Sequence, residues 1–105
     1  MSNEFHFSEN FRLAAEEWVD RENAAQILEE TKSLVMAQRQ AALGDIPVNR
    51  AEQTIKASPG WMQHVEKIVE ARRVANLAKV KMEVEKMRFH ENQGREANAR
   101  AELRL

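Results

Sequence analysis

The sequence predicts an all-α protein built as an antiparallel hairpin of two long helices with a short helix at the bend. Apolar residues recur three or four positions apart over two long segments, which is the spacing of a helix face. Four of the five glycines and prolines lie between residues 44 and 60, so turn-forming residues are concentrated at one place. No segment alternates between polar and apolar residues over a useful length, and strands are therefore not expected.

The first long helix is predicted over residues 9–43, after a flexible leader over residues 1–8. Ser8 or Asn10 can cap its start, and Gly44 suits a left-handed C-terminal cap. Its predicted contribution to the hairpin core recurs at helical spacing. These residues are Phe11, Trp18, Leu28 and Val35.

The bend and the second long helix are predicted from their capping residues. Asn49 and Glu52 have the spacing of a capping box for a short helix over residues 49–57. Ser58 can cap a long helix over residues 59–104, and Pro59 suits its first position. Trp61, in the first turn, is interpreted as closing the end of the apolar seam, with a stacking platform for a base as the alternative. The whole chain, 1–105, is predicted to form a single domain.

The second long helix carries apolar residues on two nearly opposite faces. One face is predicted to complete the hairpin core and consists of Leu77, Val80, Val84 and Met87. The other is predicted to be an oligomer interface and consists of Ala71, Ala75, Ala78, Met82 and Phe89. A two-helix hairpin buries too little to be stable alone, so we expect self-association into a coiled-coil-like helical bundle, with a dimer favoured.

Basic residues line both borders of the Leu77 face. They are Arg72, Lys79 and Lys86 on one border, and Lys81 and Arg88 on the other. Such residues commonly pair with acids of a neighbouring helix, and a polyanion-binding surface is the alternative. The charges of the two halves favour pairing: residues 1–45 hold nine acids and four bases, net −5, and residues 46–105 hold eight acids and twelve bases, net +4.

The composition indicates a protein without catalytic or metal chemistry. The absence of cysteine removes disulfides, thiolate metal sites and cysteine nucleophiles. His6, His64 and His90 are scattered and fit no metal motif, and no phosphate loop or nucleophile elbow is present. We expect no enzyme activity, no cofactor, no membrane span and a cytoplasmic location.

The run VEARRVANLAKVKMEVEKMRFHENQGREANARAELRL, with the SPGW turn before it, resembles the C-terminal half of certain small, largely uncharacterised helical proteins. These are encoded by tailed bacteriophages and prophages, often near recombination or replication genes. The resemblance implies a phage-encoded accessory protein acting in the cytoplasm of the host bacterium. It implies no catalytic residues.

Three functions are consistent with these features. The first is a non-enzymatic accessory protein that acts through protein–protein interaction as a helical oligomer, with a phage or host protein as partner. The second is a nucleic-acid-associated accessory to recombination or replication, which would use the basic borders. The third is a sponge that binds a nucleotide between subunits and so counters a host defence. Steep salt dependence of DNA binding would distinguish the second from the first.

Overall fold

The computed structural model describes residues 3–104, and their side chains from residue 5 onward. Three helices form the described chain: α1 (Asn3–Ala42), α2 (Val48–Lys56) and α3 (Pro59–Leu103). No strand occurs within these described residues. The prediction of an all-α protein with two long helices and a short one between them is therefore confirmed.

Helix α1 begins six residues earlier than the sequence predicts. Residues 3–8 are helical, so the predicted leader is wrong for them, while residues 1 and 2 lie outside the described residues. Ser8 does not cap the helix, because its hydroxyl donates a hydrogen bond to the carbonyl of Phe5, 2.9 Å away and inside the same helix. Phe7 is half-buried. No proline or glycine interrupts residues 3–8, and the helix therefore continues toward the N-terminus.

The ends of the helices near the bend follow from local chemistry. Gly44, just after α1, has a φ of 81°, the left-handed conformation in which a side chain would be strained. At the start of α3, the backbone N–H of Trp61 donates to the hydroxyl of Ser58 over 3.3 Å, so the predicted N-cap is confirmed. The predicted capping box of α2 is wrong: that helix begins at Val48 after Pro47, without a side-chain cap. Helix α3 continues without a break through Gly94.

The chain divides into two compact units, Met1–Arg21 with Ala75–Leu105, and Glu22–Val74. We describe each by itself, and the single-domain organisation stays a prediction. No helix of the described residues combines the length and the apolar character that crossing a membrane requires.

In the first unit, the start of α1 packs antiparallel to the C-terminal part of α3. The rings of Phe11 and Phe89 lie 6.1 Å apart, whereas Trp18, further along α1, meets the earlier residue Lys79. Three alanines make the centre of this seam: Ala14 is 3% exposed, Ala75 0% and Ala78 7%. Their small side chains let the two helices approach closely.

In the second unit, the rest of α1 packs antiparallel to the start of α3, with α2 beside them. Glu22 and Glu29 reach Arg72, and Arg39 passes beside Gly60, where an added Cβ would lie 2.9 Å from its guanidinium. The core of this unit consists of buried side chains from all three helices. They are Ala25, Ala51, Ile55 and Trp61.

The two predicted faces of α3 are exchanged in the structure. The residues predicted as the oligomer interface, Ala71, Ala75, Ala78, Met82 and Phe89, are buried or half-buried on the side of α3 that faces α1. The residues predicted as its hairpin core, Leu77, Val80, Val84 and Met87, are exposed. The physical reason is continuity: spacing by three and four extends the alanine face from Trp61 to Glu96, whereas the Leu77 face covers only about three turns.

Candidate interaction surface

Exposed apolar residues of the first unit form a stripe along α3, which we call the outer stripe. It consists of Leu77, Val80, Val84 and Met87, with exposed fractions of 55, 55, 39 and 60%. Spacing by three, four and three residues places them on one face of the helix. That face points away from the seam, since the seam residues Ala75, Ala78 and Met82 lie on the opposite side of α3.

The residues that α1 is predicted to contribute to the hairpin core are partly shielded from solvent. Phe11, Trp18, Leu28 and Val35 are all half-buried. Phe11 and Trp18 contact Phe89 and Lys79 of α3. A second apolar set on α1, including Leu13 and Val19, remains about half exposed, but its residues are not spaced as a continuous stripe.

The first basic border is occupied by acids of α1 where it passes through the second unit. The guanidinium of Arg72 donates to Glu22 over 2.6 Å and to Glu29 over 2.7 and 3.0 Å. These hydrogen bonds lower the pKa of Glu29 below its ordinary value of 4.5 and raise the pKa of Arg72. Nε, Nη1 and Nη2 of Arg72 thus all donate to carboxylates of its own chain.

The other basic residues lie in the first unit, and three of the four contact its own side chains. The ammonium of Lys79 lies 5.8 Å from the centre of the Trp18 ring, within cation–π range. Lys81 lies 3.5 Å from Glu17 of α1, and Arg88 donates to Glu85 over 3.0 Å. Lys86 is exposed. Acids accompany Arg72 on the first border and Lys81 and Arg88 on the second, which lowers the attraction of these bases for a phosphate backbone.

Two polar residues of the seam were missed by sequence reasoning. Glu85 is half-buried with one carboxylate oxygen shielded from solvent, and Asn92 is buried and donates to Glu96 over 3.5 Å. Their spacing from Met82 and Phe89 continues the seam and was the available signal. A search restricted to apolar residues does not find Glu85 and Asn92, and it therefore underestimates the length of the seam.

The histidines and Trp61 do not assemble a chemical site. The described residues hold no cluster of three or more side chains suited to a metal ion. His64 is half-buried beside Trp61, with ring centres 5.8 Å apart, and His90 is exposed. Trp61 is buried, which supports its interpretation as the residue that closes the end of the seam, since a buried ring offers no free face for stacking.

An open groove with a volume of about 560 Å³ lies beside Trp61 in the second unit. Lys32, Met36, Val48 and Lys56 are among the residues that line it. It lies where α1 and α2 meet, and its two lysines are exposed side chains. Nothing in its lining forms the enclosed, mostly apolar site that small ligands usually occupy.

Comparison with known proteins gives no match: no family model, no curated protein and no solved structure resembles the chain significantly. The phage origin implied by the resemblance therefore stays a prediction.

Proposed function

We propose that this protein is a non-enzymatic interaction protein that acts as a helical oligomer, and that the outer stripe of α3 is the surface through which it associates. One observation carries the proposal: four large apolar side chains stand 39 to 60% exposed in one continuous row. Scattered apolar residues are normal on a protein surface, but a row at coiled-coil spacing is typical of a helix that packs against another helix.

The apolar area of the outer stripe by itself supports a weak association. Fully burying a Val, Leu or Met side chain contributes about 1.5–3 kcal/mol, so side chains that are already half-buried contribute roughly 1 kcal/mol each. Two copies would bring eight of them together, about 8 kcal/mol before costs. The loss of translational and rotational freedom costs at least about 4 kcal/mol. The remaining free energy of about 4 kcal/mol corresponds to a dissociation constant of about 1 mM, and flanking contacts would have to supply any tighter affinity.

The contacts of the basic borders favour protein partners over nucleic acid. Arg72, Lys81 and Arg88 already bind carboxylates of their own chain. Phosphates would have to displace those acids or bind beside them. A role as a phage-encoded accessory that binds a further phage or host protein rests on the resemblance alone.

The proposal is tested by static light scattering over a concentration series. We expect the wild-type chain to reach at least twice its mass of 12.1 kDa. The variant Val80→Glu should remain monomeric, because a carboxylate placed in an apolar interface without a partner costs several kcal/mol.

The matched control is Gln93→Glu, which adds the same charge at an exposed position of α3 outside the outer stripe. It should associate as the wild type does. Circular dichroism should show the same helix content for both variants, since each substitution is on an exposed position. A wild-type chain that stays monomeric at millimolar concentration would overturn the proposal.

A further inference from the structure

The outer stripe ends in opposite charges. Helix α3 is continuous, and its stripe spacing continues to Arg73, four residues before Leu77, and to Glu91, four residues after Met87. The Arg73 side chain is 61% exposed and donates to Glu70, one turn earlier in α3, over 2.7 and 3.0 Å, and Glu91 is exposed as well. The apolar row thus has a cation at one end and an anion at the other.

From this pattern we infer that the occupant of the outer stripe is a second copy of the chain, with its α3 running antiparallel. In this arrangement Leu77 lies opposite Met87 of the second copy, Val80 opposite Val84, and Arg73 opposite Glu91. The two-fold axis repeats each pair, as it must in a symmetric dimer. The inference rests on the proposed function, because it requires that the outer stripe mediates association.

The register follows from the length of the outer stripe. Only an axis at the level of residue 82 places all four apolar side chains of one copy against the four of the other. A shift by one heptad in either direction would set Arg73 against Val84, or Glu91 against Val80. Each shift would bury a charge against an apolar side chain, which is unfavourable.

A parallel pairing would bring like charges together along the centre of the interface. Arg73 would face its own counterpart, and so would Glu91 and Glu70, at the positions where two paired helices approach most closely. The parallel pairing would gain an attractive contact between Glu83 and Arg88 of the second copy. This contact lies at the flank of the interface. Flanking pairs contribute only a few tenths of a kcal/mol each.

The antiparallel pairing has unfavourable flanking contacts next to the two-fold axis, where Lys81 lies near Lys81 of the second copy and Glu83 near Glu83 of the second copy. Lys81 is already accompanied by Glu17 of its own chain at 3.5 Å, which reduces the repulsion between the two lysines. Flanking pairs contribute only a few tenths of a kcal/mol each. The charges at the ends of the outer stripe, where the two helices approach most closely, therefore favour the antiparallel direction.

The test is charge reversal, read out as the dimer dissociation constant by sedimentation equilibrium. Arg73→Glu alone and Glu91→Arg alone each turn two attractive contacts per dimer into repulsive ones, so each should weaken association on the order of tenfold. The double variant restores both contacts with exchanged signs, and should return to within about threefold of the wild type. Lys86→Glu, the same charge change on an exposed residue outside the outer stripe, is the control and should have little effect.

Single-cysteine variants give a second measurement, which a chain without native cysteine allows. Leu77→Cys alone and Met87→Cys alone should form little disulfide-linked dimer under oxidation. A mixture of the two should form it readily, because these positions face each other across the interface.

The outcomes separate the two proposals. A wild-type chain that stays monomeric overturns the proposed function and the inference with it. If the wild type associates but both single reversals leave its dissociation constant unchanged, or the double variant is not rescued, only the antiparallel arrangement is overturned. Efficient self-cross-linking of Leu77→Cys likewise overturns it and indicates a parallel pair.

Discussion

Arg72 of α3 and Glu29 of α1 are joined by two hydrogen bonds of 2.7 and 3.0 Å across the seam of the second unit. A guanidinium that binds both oxygens of one carboxylate is held in a fixed orientation, and Arg72 also reaches Glu22 at 2.6 Å. This residue, which a sequence pattern allowed as a phosphate ligand, thus ties the two long helices together.

Replacing Arg72 with Gln should lower the free energy of unfolding, since two partly exposed ion pairs between helices are lost. Arg12→Gln is the matched control, because Arg12 also binds two carboxylates, Glu9 and Glu16, but both lie within α1. Replacing Arg12 should lower the free energy of unfolding less than replacing Arg72 does, because ion pairs within one exposed helix contribute little. Urea denaturation at neutral pH measures both. Equal effects of the two variants would show that the Arg72 contacts do not join the helices.

The pH dependence of stability should reflect the same contact. Hydrogen bonds from Arg72 lower the pKa of Glu29 in the folded chain below the ordinary 4.5. A carboxyl whose pKa is lowered by folding stabilises the protein above the unfolded pKa, and this contribution is lost as the pH falls through the folded pKa. The urea midpoint of the wild type should therefore decline as the pH falls below about 4.5. In Arg72→Gln that decline should be shallower, and an identical profile would contradict the assignment.

The exchange of the two faces of α3 predicts opposite responses to substitution. Ala75→Leu should destabilise the chain by about 1–3 kcal/mol, because Ala75 is fully buried in the seam and has no room for a larger side chain. Val80→Ala, on the outer stripe, should change the stability of the monomer by no more than about 0.5 kcal/mol. Thermal or urea unfolding at low protein concentration makes the comparison. If Val80→Ala lowers the free energy of unfolding by more than this, the outer stripe belongs to the hairpin core.

The basic borders predict weak binding to DNA. In a fluorescence-anisotropy titration with labelled DNA at two salt concentrations, we expect no tight binding and little difference between the wild type and a variant with Arg72, Lys79 and Lys86 all changed to Gln. Strong, salt-steep binding that the triple variant loses would instead indicate up to about three phosphate contacts, and would favour the recombination accessory.

The helices and their ends could be predicted because they depend on local chemistry. Gly44 supplies a left-handed cap, and Ser58 with Pro59 starts α3; each works through its own backbone and a neighbour three or four residues away. The capping box of α2 and the leader over residues 3–8 were the exceptions. In the leader, Ser8 had two possible uses, as a cap or as a donor to the preceding turn, and its own sequence does not distinguish them.

The face of α3 that meets α1 could not be chosen from hydrophobicity. Leu77 and Val84 are more apolar than Ala75 and Ala78, so a ranking by side chain selects the wrong face. The structure favours the alanines because small residues allow close helix packing, although the same face also carries the polar residues Glu85 and Asn92. Contact between distant segments decides such a choice, and a single helix carries little information about it.

The central claim is that the outer stripe of α3 is covered when the protein associates, and methionine oxidation tests it most directly. Met87 lies in the outer stripe and is 60% exposed in the single chain, whereas Met36 lies on α1 and is half-buried. With dilute peroxide and peptide mass spectrometry over a series of protein concentrations, we predict that oxidation of Met87 slows as concentration rises, while Met36 keeps its rate. An oxidation rate of Met87 that, like that of Met36, does not change with concentration would contradict the claim.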